Sequence, residues 1–82
     1  MPAVDQTVYE ALARHLSLPL AELVRRQDED LGALGLDSHG LMRVLLDVEK
    51  ALQLPESLEL ADAALATPAT LLAGVRAVAG PT

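Results

Sequence analysis

The chain predicts an all-α fold: a small antiparallel four-helix bundle with three longer helices, one short third helix and a long loop between helices one and two. Three observations carry this. Alanine and leucine dominate, and both favour helix. Apolar residues recur at spacings of three and four in several segments, each closed by a proline or glycine signal. Alternating β-branched runs, the mark of strands, are missing. At 82 residues the chain predicts a single domain, 1–82, with an ordered core of about 4–79. A chain of this size buries roughly 60–65% of its unfolded surface, so its core is modest.

The first helix is expected from about Val4 to Leu16. Val4, Val8, Ala11 and His15 share a face, with Leu12 beside them. Asp5 and Glu10 sit early, and Arg14 and His15 late, as the helix dipole favours. His15 could be a ligand or base; a helix-terminal histidine near the last carbonyls is the preferred reading. Ser17-Leu18-Pro19 breaks the helix. Residues 19–26 could hold a short helical turn with Leu20, Leu23 and Val24 inward. Arg25-Arg26 is read as a solvated basic pair rather than an anion site, because Asp28-Glu29-Asp30 follows. That acidic run lacks the ligand alternation and closing glutamate of a calcium loop. Leu31, Leu34 and Leu36 then anchor the long loop, and Gly32 and Gly35 allow tight backbone.

The second helix starts at Asp37 or Ser38, both good N-caps. At 100° per residue, Leu41, Val44, Leu45, Val48 and Leu52 form its buried face. Met42 and Leu46 lie off the edge of that face. His39, Arg43 and Lys50 point outward, with Asp47 and Glu49 flanking on opposite sides. Leu54-Pro55 ends the helix and Glu56-Ser57 turns the chain. Residues 58–65 are expected to form the short third helix. Thr67 is then an N-cap with Pro68 at the first helical position. The last helix runs to about Ala79 with Leu71, Leu72, Val75 and Val78 on its apolar face. Gly80-Pro81 is its stop signal.

Composition bounds the function. Twelve acidic against six basic residues give a net charge of −6, and Tyr9 is the one aromatic residue. An acidic chain without a basic stripe is a poor nucleic-acid binder, and basic partner surfaces suit it better. Without cysteine there is no disulfide framework and no thiolate zinc site, and two isolated histidines make no metal centre. The first residues show no signal-peptide pattern, and no apolar stretch approaches the ~20 residues of a membrane span. The expectation is a soluble cytoplasmic protein, monomeric, with no membrane and no nucleic acid among its partners.

Asp37, Ser38 and His39 are the residue types of a hydrolytic triad, but neighbours at a helix start do not face one another as a triad requires. Taken alone, Asp-Ser after a glycine turn is an ordinary helix cap. The wider block LGLDSHGLMRVLLDVEKAL, residues 34–52, resembles the phosphopantetheine attachment region of acyl carrier proteins and their peptidyl carrier relatives. Leu34, Gly35, Leu36, Asp37, Ser38, Leu41, Met42, Val44, Leu45 and Val48 carry the resemblance. The first helix, the loop with residues 28–31, the short third helix and the TPATLLAGV helix all lie where this family has them.

The resemblance implies that Ser38 receives a 4'-phosphopantetheine arm from a separate phosphopantetheinyl transferase using coenzyme A and Mg²⁺. The protein would catalyse nothing itself. It would carry an acyl group as a thioester between acyl-loading and acyl-processing enzymes. The resemblance also makes the second helix the face that partners read, with Asp37, His39, Met42, Arg43 and Leu46 as the expected partner-recognition residues; Asp37 would help dock the transferase. Met42 and Leu46 match positions where the family offers apolar side chains to partners, with core packing as an equal alternative. His39 stands where the family has a hydrophobic residue. It could contact the phosphate or a partner, or simply face solvent. Gly40 costs the helix up to ~1 kcal/mol relative to alanine. Arg43 and Lys50 replace acids found in primary fatty-acid synthesis, which turns the expectation toward polyketide or nonribosomal peptide biosynthesis. The competing expectation is an unmodified helical docking domain in which Asp37-Ser38 is only a cap.

Overall fold

Helical periodicity organises everything that the computed structural model describes, which is residues 4–54, 58 and 60–79. Among them the elements are α1 (Val4–Leu16), α2 (Leu20–Arg25), α3 (Ser38–Leu52), a 3-10 helix (Asp62–Leu65) and α4 (Pro68–Ala79), with no strand. The calls on residues 1–3, on Pro55, Glu56 and Ser57, and on Gly80-Pro81 lie outside the described residues.

The centre of the molecule is α1, against which α2, α3 and α4 all pack; the 3-10 helix packs on α4. The reason is in its sequence. Val8, Ala11 and Leu12 are fully or almost fully buried, and Thr7 and Tyr9 join them, so α1 buries more than one narrow stripe. Facing it are Leu23 of α2, Val44, Leu45 and Val48 of α3, and Leu71 and Val75 of α4. Leu31, Leu36 and Leu58 enter the same core from non-helical chain. The long loop is therefore fastened by its leucines, as its sequence predicts.

Two helix ends use left-handed residues without glycine. Ser17 (φ 55°) closes α1 and Gln53 (φ 54°) closes α3. The Leu18 N–H returns to the Ala13 carbonyl at 3.1 Å, and the Leu54 N–H to the Glu49 carbonyl at 3.0 Å, as helix-terminal caps do. Asp5 in the first turn of α1 pairs with Arg76 in the last turn of α4.

Three expectations need correction. The expected short helix over 58–65 is a 3-10 helix of four residues, beginning at Asp62. Upstream, the Leu58 N–H is held by the Glu49 carboxylate at 3.1 Å, and Ala61 is extended (ψ 153°). Leu58 enters the core, and Leu60 packs beside Gly74 of α4. In residues 19–26 a genuine helix forms, but only Leu23 is buried; Leu20 and Val24 are each 42% exposed. A six-residue helix has one face against α1, and one leucine fills it. Val78, expected on the apolar face of α4, is half exposed because the packing against α1 is completed by Leu71 and Val75.

Candidate functional site

The site is built from the turn that precedes α3. The Asp30 carboxylate accepts from the Ala33 N–H at 3.1 Å, and the Leu34 and Gly35 N–H groups bond back to the Asp30 and Gly32 carbonyls. Gly35 has φ +104°, a conformation that a side chain disfavours. The Leu36 N–H then reaches the Leu31 carbonyl at 3.0 Å. This turn is tied to the start of α4 by two backbone bonds, Leu31 N–H to Ala66 carbonyl at 2.8 Å and Ala69 N–H to Gln27 carbonyl at 3.0 Å. The Tyr9 hydroxyl adds a bond to the Gln27 side chain at 3.1 Å. Burial, with Asp5 and Asp28 nearby, holds the Tyr9 phenol above its ordinary value, so it stays a neutral donor. The backbone leading to Ser38 is thus held from both sides.

At the helix start the two candidate caps separate. Asp37 is the N-cap: its backbone is extended and its carboxylate accepts from the Gly40 N–H at 2.7 Å. Ser38 is the first helical residue. It is exposed, and its hydroxyl makes no hydrogen bond among the described residues. The glycine at position 40 also finds its reason. A Cβ there would lie 3.0 Å from Leu36 Cδ1 and 3.2 Å from Asp37 Oδ1, crowding both the buried leucine and the capping carboxylate.

The other predicted residues line the outer side of α3. Met42 is 61% exposed and Leu46 50%, which removes the core-packing alternative for both. His39 and Arg43 are exposed and come together: the Arg43 Nε–H donates to His39 Nε2 at 3.3 Å. The imidazole is therefore turned along the helix to Arg43 and not to the Ser38 hydroxyl, so the hydrolytic arrangement has no geometric basis. Chemically, the start of α3 offers an accessible hydroxyl, and among the described residues no side chain hydrogen-bonds it as an activating base would. Free N–H groups and the helix dipole at this terminus tolerate an added phosphate charge, although the Asp37 carboxylate stands beside it.

Sequence reasoning missed the partner of His15. His15 does not cap its own helix; its Nε2 meets Asp47 Oδ2 at 2.7 Å and joins the end of α1 to α3. That hydrogen bond, helped by the charges of His15, Arg14 and Lys50, holds the Asp47 carboxyl below its ordinary value. The partners are 32 residues apart, and no local pattern announces them. Arg25 pairs with Glu22 at 3.2 Å, and Arg26 makes two bonds to Glu29, both 3.0 Å, so the basic pair is neutralised locally. Hydrogen bonding to Arg26 keeps the Glu29 carboxyl below its ordinary value.

Among the described residues no three histidine, aspartate or glutamate side chains converge as a metal site would need, and no helix is long and apolar enough to cross a membrane. Comparison with known protein families, with characterised proteins and with solved structures finds no match to this chain.

Proposed function

We propose that this chain is an acyl carrier protein, a cytoplasmic monomer with the small helical bundle of that family, modified on Ser38 with 4'-phosphopantetheine. It holds an acyl intermediate as a thioester on that arm and presents it to acyl-loading and acyl-processing enzymes of polyketide or nonribosomal peptide type. The observation that carries the reading is the division of labour at the start of α3. Asp37 makes the cap, and the Ser38 hydroxyl is left exposed and uncommitted. In the alternative, a docking domain in which Asp37-Ser38 is only a cap, the serine has no work of its own.

The chemistry suits a serine hydroxyl that no base contacts among the described residues. In the transferase, the Ser38 hydroxyl attacks the coenzyme A phosphorus that bears pantetheine. A new P–O bond forms, the pyrophosphate P–O bond breaks, and the adenosine bisphosphate half leaves with the electron pair. The serine proton passes to a base on the transferase. The phosphodiester then sits on a helix N-terminus, which favours negative charge.

The test is intact mass after incubation with a broad-specificity phosphopantetheinyl transferase, coenzyme A and Mg²⁺. The expected result is one phosphopantetheine added to the native chain and none to Ser38→Ala. If a folded native chain gains nothing, the docking-domain reading replaces this one.

A further inference from the structure

The acids of α3 and its N-cap are each committed within the molecule. Asp37 holds the Gly40 N–H, Asp47 meets His15, and a Glu49 carboxylate oxygen accepts from the Leu58 N–H. The basic Arg43 is different. Its guanidinium donates to the neutral acceptor His39, and no carboxylate lies within ion-pair distance among the described residues. At 100° per residue, His39, Met42, Arg43, Leu46 and Lys50 fall in an arc about 100° wide. All are exposed. This stripe begins one residue after Ser38 and places Met42 one turn from it, with Leu46 about 12 Å along the axis at 1.5 Å per residue. A chain of net charge −6 therefore turns outward, beside its candidate attachment residue, an apolar pair flanked by positive charge.

We propose that this stripe is a docking surface for a protein partner that is acidic where it touches α3: an apolar socket receives Met42 and Leu46, and carboxylates on its rim meet Arg43. Charge complementarity selects this occupant. A basic partner surface, which overall composition favours, would bring like charge onto Arg43 while finding the carboxylates of α3 already bonded. Methionine suits such a socket because its unbranched thioether adapts to irregular apolar walls. The proposal rests on the carrier reading for what the partner does, a processing enzyme that must come close to Ser38, but not for how it binds.

The test uses the unmodified chain and two synthetic amphipathic helical peptides. Both carry the same leucine face; one is flanked by glutamates and the other by lysines. In amide NMR titrations the glutamate peptide is expected to shift Met42, Arg43 and Leu46, and to bind more weakly as salt rises. Arg43→Glu weakens that binding by about tenfold, and the milder Arg43→Gln weakens it by less. The lysine peptide binds less tightly than the glutamate peptide to the native chain. Equal or tighter binding of the lysine peptide overturns the proposal, as does absence of binding, or shifts centred on Leu20 and Val24. Ser38→Ala retains the peptide contact. A chain that docks the glutamate peptide but accepts no phosphopantetheine keeps this surface and loses the carrier reading. The reverse result keeps the carrier and loses the surface.

Discussion

Two helix starts, those of α3 and α4, use hydroxyl residues to different ends. At α4 the Thr67 hydroxyl accepts from the Thr70 N–H at 3.1 Å, and the Thr70 hydroxyl accepts from the Thr67 N–H at 2.9 Å. This is a capping box with threonine in the place of glutamate. Pro68 between them is buried, and Thr70 also reaches the Ala64 carbonyl at 3.2 Å. Both hydroxyls there are bonded within the fold. At α3 one carboxylate makes the cap, and the next residue keeps a hydroxyl in solvent. A hydroxyl at a helix start is therefore not evidence of function by its type. What distinguishes Ser38 is that its neighbour has taken the structural task.

The comparison can be broken first at the turn. Gly35 sits at φ +104°, and a Cβ there meets nothing within 4 Å, so Gly35→Ala tests backbone strain without crowding. Urea unfolding should show a loss of about 1–3 kcal/mol. A neutral result would mean that α3 does not depend on this turn for its start. Next, the two hydroxyls can be set against each other. Thr67→Ala removes a cap and should cost about 1 kcal/mol, whereas Ser38→Ala should stay within about 0.5 kcal/mol of the native chain. Equal losses at both positions would make Ser38 as structural as Thr67.

The smallest effect lies at the His15–Asp47 contact. The folded-state value of Asp47 is depressed, so the contact contributes above the ordinary carboxylate value and is lost as pH falls through the depressed one. The native chain should exceed His15→Ala in stability by about 0.2–1 kcal/mol near pH 5 and converge with it toward pH 3 or below. Denaturant midpoints of the two chains across that range give the measurement. A gap that persists unchanged in acid would assign the histidine to packing instead.

Much of this was legible locally. The limits of α1 and α4, the leucine anchors of the long loop and the buried face of α3 follow from spacing and capping chemistry, which act within a few residues. The position of Asp37 and Ser38 at a helix start was legible too, but not which of them caps. That choice depends on how the turn delivers the backbone, with Gly35 at positive φ and Leu36 buried beneath the first turn. Gly74 gave no readable signal, yet a Cβ there would lie 3.0 Å from the Ala64 Cβ, so its bareness lets the 3-10 helix approach α4. The faces of α2 and of α4 near Val78 were overread, because a helix buries only what its neighbours can cover.

By itself, the sequence determined that the described chain is helical, the approximate limits of its long helices and the main buried stripe of α3, because propensity, caps and periodicity are properties of neighbouring residues. The tertiary structure alone decided the rest. It took Leu58 out of helix beside Glu49, sent His15 across to Asp47, and bonded the acids of α3 to groups within the fold while Arg43, Met42 and Leu46 remained outside. These outcomes depend on groups far apart in the chain, and only packing against a common core brings such groups within hydrogen-bonding distance.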